Sequence, residues 1–252
     1  MVAIRAITFD LWDTIVTDDS DEPKRQAQKL RSKRDERRHL VWQALRRHGE
    51  LPFTQVELAY DVVDAAFRKV WHEHHITWPI GERLDVLLAG LSRTLPSDER
   101  AQLVTEHERM ELTIRPDLIE GVAQGLAELK RHYKLAIVSD AIVTPGRLLR
   151  ELLASYDLAR YFDGFFFSDE VGRSKPDRRM FDAASAALGV PLSEMVHIGD
   201  REHNDVGGPK AAGMRAVLFT ARRAPPEGGT RADAVCASYA ELPGAIAALA
   251  EK

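Results

Sequence analysis

The 252-residue sequence predicts an α/β fold: a doubly wound parallel sheet carrying an all-helical segment inserted after its first strand. Three observations predict it. The apolar run Ala6-Ile7-Thr8-Phe9 has strand character and stops at a carboxylate, Asp10. From about residue 24 to residue 115 helical spacing recurs with no strand pattern between. After Arg115-Pro116 strands alternate with single helices, the signature of parallel βαβ units with right-handed crossovers.

Each element follows from local pattern. Residues 17–23, Thr-Asp-Asp-Ser-Asp-Glu-Pro, read as a polar linker, and one long helix is expected from Lys24 to His48, stopped by Gly49. A second helix is expected to open on a Thr54-Gln55-Val56-Glu57 capping box. A third covers about Glu82 to Leu95, and a fourth starts at Ser97 after Pro96. A bundle is the simplest way to bury their apolar faces. Downstream, a helix over Val122 to Tyr133 precedes the strand Leu135 to Val138, and Thr144 with Pro145 is expected to open the next helix. The strand Gly164 to Phe167, a helix from Arg178 to Leu188 stopped by Gly189, and the strand Met195 to Ile198 follow. A short helix closing at Gly213, the strand Ala216 to Phe219 and a final helix capped by Ser238 to Glu241 complete the chain. The expected division is a core of residues 1–17 and 116–252 and a cap of residues 18–115.

Composition narrows the function classes. A net charge of −4 gives no basic field for nucleic acid or an anionic membrane. The single cysteine, Cys236, excludes an internal disulfide framework, and a cytoplasmic setting is expected. Zinc is not expected at His72, His74 and His75: only His72 and His75 share a helical face, without a third ligand. The basic run from Lys24 to Arg38 lacks interleaved aromatics and reads as a charged helix.

Asp10, Ser139, Lys175 and Asp200 all fall at or just after the carboxyl ends of expected strands, the edge where open α/β sheets bind ligands. With Asp205 five residues on, they form a set suited to a phosphate and a hard cation such as Mg2+, which takes one or two carboxylates plus water and substrate oxygens.

In these stretches the chain resembles the haloacid dehalogenase superfamily, in its branch with a helical cap between the first and second motifs. Phe9-Asp10-Leu11-Trp12-Asp13-Thr14 resembles the nucleophile motif, and Ile137-Val138-Ser139-Asp140 the second motif. Ser174-Lys175-Pro176-Asp177 resembles the lysine motif, and Gly199-Asp200 with Asp205 the acidic fourth motif. The resemblance implies that Asp10 attacks phosphorus to form an aspartyl phosphate. It implies Mg2+ on Asp10, the carbonyl of Trp12, Asp200 and Asp205, with Ser139 and Lys175 stabilising the transferring group. Leu11 through its amide, Thr14 and Asp140 join Ser139 and Lys175 around the substrate. Thr14 is expected to tie down the turn.

One departure stands out. Phosphatases of the superfamily carry a second Asp two residues after the nucleophile as general acid–base, and here that position is Trp12. Such catalysis is worth about 10² to 10⁴ in rate, so substrates with good leaving groups are expected to be favoured. Asp13, one residue further, would have to reach from a different direction. A metal-independent 2-haloacid dehalogenase and a non-enzymatic phosphate- or partner-binding homologue are the competing readings. The former lacks the Gly-Asp that Gly199-Asp200 retains.

The cap is expected to choose the substrate, a small phosphorylated molecule. Ala27, Leu30, Val41, Ala44 and Leu45 define an expected buried stripe, and Arg34 and Arg37 fall on it, placed to read a second anionic group. The expected state is a monomer or homodimer.

Overall fold

The computed structural model describes residues 3–250. Six parallel strands form one sheet: β1 (Ala6–Phe9), β2 (Lys134–Ser139), β3 (Gly164–Phe167), β4 (Met195–Gly199), β5 (Arg215–Phe219) and β6 (Ala234–Cys236), in the order β3-β2-β1-β4-β5-β6. The fold class is the expected α/β one, with a helical insertion after β1. The order reverses at β1, since β2 lies on one side and β4 on the other, and ligands bind open sheets at such switch points. Register brings the chemistry to one edge. Phe9 pairs with Ile137 and with Ile198, so Asp10, Ser139 and Asp200 emerge together.

The pleat explains the layers, because alternate side chains leave opposite faces of a strand. Ile7, Phe9, Leu135 and Ile137 face the main core, filled from above by Leu126, Leu129, Leu149, Leu152 and Ile246. Ala6, Ala136 and Val138 face Met180, Phe181 and Ala184 on the other side. Between β1 and the helix Val122–Lys130 that packs on the sheet ahead of β2, six helices form the insertion: α1 (Asp21–Ala27), α2 (Lys33–Arg46), α3 (Phe53–His74), α4 (Ile80–Gly90), α5 (Ser97–Glu108) and α6 (Met110–Thr113). They bury a core of their own, including Val41, Leu45, Val56, Val63, Leu84, Leu87 and Leu103.

Several local expectations are corrected. The single helix from Lys24 to His48 is two, α1 and α2. Lys29 sits in the left-handed region at φ 58°, and Ser32 restarts the helix by accepting from the Asp35 amide at 3.1 Å. As a result Ala27 and Leu30 are exposed rather than on the buried stripe, while Val41, Ala44 and Leu45 are buried. The capping box at Thr54 does not form: α3 begins one residue earlier, after the extended Pro52, with no side-chain cap. The third helix runs from Ile80 to Gly90, and Ser92 at φ 52° follows its end. Thr144 caps nothing, because its hydroxyl is turned to Glu108 and Glu111, 2.9 Å from the Glu108 carbonyl and against the Glu111 carboxylate, tying the insertion to the sheet domain.

Candidate active site

The site grows from β1. The amide of Asp10 donates to the Ile198 carbonyl at 2.9 Å, extending the ladder by one residue and fixing the carboxylate at the edge. The chain then turns sharply. Asp13 adopts φ 53°, its amide donates to the Val16 carbonyl at 2.7 Å, and the Ile15 amide donates to the Leu11 carbonyl at 2.8 Å. The hydroxyl of buried Tyr239 secures this turn from the core side by donating to the Thr14 carbonyl at 2.8 Å.

Lys175 is buried, and its Nζ lies 2.8 Å from Oδ1 of Asp10 and 2.6 Å from Oδ1 of Asp205. Burial alone would lower the ammonium pKa, but the carboxylates of Asp10, Asp205 and Asp140 outweigh it and raise it, so Lys175 is charged. Asp140 holds the lysine loop, accepting from the Lys175 amide at 2.9 Å. Burial pushes the Asp140 carboxyl up to about 7.

Behind this pair stands a buried polar chain. Nε2 of His197 lies 3.2 Å from Oδ1 of Asp205, and Nδ1 lies 2.8 Å from the Thr8 hydroxyl. The Arg201 amide donates to Oδ2 of Asp205 at 2.9 Å. Burial opposes ionisation of Asp205, yet Lys175 and His197 prevail and hold its pKa below the usual carboxylate range. Gly199 makes room for this arrangement: a Cβ there would lie 2.4 Å from Cγ of Asp205.

Oxygens of Asp10, Asp200 and Asp205 lie within 4.8 Å of one another, all three residues being buried. Oδ2 of Asp200 accepts from Arg223 Nε at 2.8 Å, whereas its buried Oδ1 has no hydrogen-bond partner. Burial and the charges of Asp10 and Asp205 raise the Asp200 carboxyl to about 6. An orphaned buried carboxylate oxygen amid like charges is the donor set of a hard divalent cation, and the residues fit Mg2+. Asp205, with both oxygens already engaged, stands behind Asp10 and Asp200 in this set.

A haloacid dehalogenase-like hydrolase family model matches residues 4–213. The chain belongs to this family. Similar proteins include a phosphoserine phosphatase of Thermus thermophilus, 34% identical over 142 residues, which are 55% of this chain and 54% of that protein. The chain thus matches only about half the length of that relative. A glyceraldehyde 3-phosphate phosphatase of Methanothermobacter thermautotrophicus is 29% identical over 174 residues, 67% of this chain and 70% of its own. Among solved structures, a 2-haloacid dehalogenase from Pseudomonas syringae superposes with a TM-score of 0.72 at 24% identity, covering 98% of this chain and 99% of that one. A Bacillus subtilis hydrolase of the family bound to magnesium superposes at 0.60 with 18% identity, covering 97% and 99%. These two likenesses speak to the fold.

In this haloacid dehalogenase-like hydrolase a cavity of about 140 Å³ opens between sheet edge and insertion. Asp10, Trp12, Ser139, Asp140 and Lys175 line it. Ser139 Oγ is buried and has no hydrogen-bond partner. Leu11 and Thr14 do not line it: Leu11 packs in the main core, so its side chain is unavailable to a ligand. The Thr14 hydroxyl is buried without a partner, so it does not tie down the turn. Arg34 is likewise outside, exposed and paired with Asp61 at 3.0 Å. Arg37, one turn nearer the core, lines the cavity 4.0 Å from Glu111.

The sequence reading missed Asp18, Lys33, Arg201 and Asn204, all in the cavity wall. Lys33 Nζ is buried among Asp21 at 2.8 Å, Asp19 at 3.1 Å and Glu111 at 3.4 Å. The Ser32-x-x-Asp35 cap was the available signal for Lys33, since it marks where α2 begins.

Proposed function

We propose that the protein is a Mg2+-dependent phosphatase that hydrolyses a small phosphorylated metabolite through an aspartyl phosphate on Asp10. The observation that carries this reading is the pairing of Asp10 with buried Lys175 beside an Asp200 oxygen that has no partner. That orphaned oxygen also favours the metal-dependent reading over the metal-independent dehalogenase one. The activities named for the Thermus and Methanothermobacter relatives, both phosphatases, support it.

Asp10 supplies the attacking oxygen at a sheet edge, where the strand ladder fixes its backbone. Lys175 orients that carboxylate and offers positive charge to the transferring group. Ser139, buried and unpartnered, is free to donate to a phosphoryl oxygen. Asp140 positions the lysine loop. When bound on Asp10 and Asp200, with the Trp12 carbonyl and Asp205 completing the expected set, Mg2+ would offset the repulsion between nucleophile and substrate. Arg37 is the cap residue placed to meet a second anionic group on the substrate. The reading divides the chain at 17/18 and 115/116 into core and cap. Trp12, taken alone, would confine turnover to acyl and aryl phosphates.

Assay of acetyl phosphate and p-nitrophenyl phosphate with and without Mg2+ tests it. Turnover is expected in wild type with Mg2+ and is expected to vanish in Asp10→Asn and with a chelator. Equal turnover in the presence and absence of metal would contradict the reading.

A further inference from the structure

Resting on the phosphatase reading, we propose that Asp18, in the linker leading into the cap, is the general acid–base for the reaction at Asp10, replacing the carboxyl that Trp12 lacks. Asp18 lines the same cavity as Asp10, Trp12 and Lys175. The other acids there are committed. Asp10 is the nucleophile, and Asp19 and Glu111 are bound to Lys33. Asp140 accepts from the Lys175 amide and, at 3.4 Å, from Asn204. Asp13, the nearest alternative in sequence, is absent from the cavity wall. Its Oδ1 accepts the Asp18 amide at 3.0 Å and its Oδ2 lies 3.8 Å from Arg223, so it serves the turn.

Asp18 differs from all of these. Its Oδ1 accepts only the adjacent Asp19 amide at 3.0 Å, and among the described residues its other oxygen has no partner. The residue as a whole is exposed and stands in the cavity wall, where crowding by the protein takes part of the water from its carboxyl. That crowding, with Asp19 and Asp13 adding to it and Lys33 and Arg201 opposing, raises the carboxyl to about 6. A group that shares its proton near neutrality is what acid–base exchange requires. The turn itself serves the placement, since Asp13 at φ 53° and Asp19 at φ 54° fold the linker back over the sheet edge.

In the first step a carboxylate oxygen of Asp10 bonds to phosphorus, the bond from phosphorus to the leaving oxygen breaks, and that oxygen takes the Asp18 proton. In the second, Asp18 carboxylate takes a proton from water as the water oxygen bonds to phosphorus. The bond between phosphorus and Asp10 breaks, releasing inorganic phosphate and restoring both aspartates.

Stopped-flow and steady-state kinetics of wild type, Asp18→Asn and Asp13→Asn, on p-nitrophenyl phosphate and a primary alkyl phosphate with Mg2+, test the assignment. Wild type is expected to turn over both. Asp18→Asn is expected to release the first equivalent of p-nitrophenolate at the wild-type rate and then slow by about 10² to 10⁴, with alkyl phosphate turnover reduced at least as much. Asp13→Asn, which keeps the acceptor for the Asp18 amide, is expected to match wild type. Wild-type rates in Asp18→Asn, a first turnover that slows as much as the steady state, or a loss confined to Asp13→Asn would each overturn the assignment. A wild type restricted to aryl and acyl phosphates would overturn it while leaving the phosphatase reading intact. No phosphorylation of Asp10 in wild type would overturn both.

Discussion

At the scale of single residues, Lys175 holds together a site that is otherwise all carboxylate. Removing a buried ammonium leaves Asp10 and Asp205 facing each other without compensation, and breaking one half of a buried pair typically costs about 3–5 kcal/mol. Lys175→Met is therefore expected to lower the unfolding free energy measured by denaturant titration by an amount in that range, with a lower midpoint, and added Mg2+ is expected to restore part of it. A midpoint unchanged from wild type would show that the pairing carries no load. Residues of this kind were legible because strand ends announce themselves: Asp10, Ser139 and Asp200 each follow an apolar run, whereas Lys175 stands eight residues past the end of β3 and was legible only through its resemblance to the lysine motif. Asp18, Lys33 and Arg37 were harder, because their position depends on how the linker and α2 pack back onto the sheet, and no local pattern encodes a tertiary contact. Arg34 and Arg37 share a helical face by spacing, yet only Arg37 reaches the cavity.

At the scale of elements, the helical insertion carries a buried polar contact that its apolar spacing does not reveal. His107 on α5 is buried with Nδ1 2.7 Å from the Leu103 carbonyl and Nε2 2.6 Å from the Tyr60 hydroxyl of α3. The carbonyl only accepts, so Nδ1 carries the hydrogen and Nε2 accepts from Tyr60, a neutral ring. Burial lowers its pKa to about 3 from 6.5. The unfolded ring then binds a proton that the folded one refuses. The contribution to stability is complete above pH 6.5 and is lost as pH falls below it, by about 1.4 kcal/mol per pH unit. The stability difference between wild type and His107→Gln, measured by urea unfolding, is expected to shrink by about 1 kcal/mol between pH 6.5 and 5.5; a pH-independent difference would contradict it. The strands and the helices of the sheet domain were legible from period and from stop signals such as Gly189 and Gly213, both left-handed in the structure. β6 escaped notice because three residues, Ala234–Cys236, are too short to show a period. The long helix expected from Lys24 was overextended because basic, helix-favouring residues run through the break at Lys29.

At the scale of the whole molecule, the insertion with its own core and the sheet with a core on each face meet around the cavity. The seam between them is polar: Lys24 binds Asp117 at 2.6 Å, Thr144 binds Glu108 and Glu111, and Arg83 donates to the Ile142 carbonyl at 2.5 Å. Polar seams of this kind suit two bodies that meet around a ligand, since their contacts exchange with water at little net cost. Fold class and family were readable from the order of motifs along the chain, whereas the lining of the cavity required both bodies in place. The account's central claim is covalent chemistry at Asp10. Acid-quenching the protein during turnover of acetyl phosphate with Mg2+, followed by peptide mass mapping, tests it most directly. The account predicts one added phosphoryl group on the peptide containing Asp10, absent in Asp10→Asn. Sustained hydrolysis by wild type with no phosphoryl group on that peptide, or with turnover unchanged in Asp10→Asn, would contradict it.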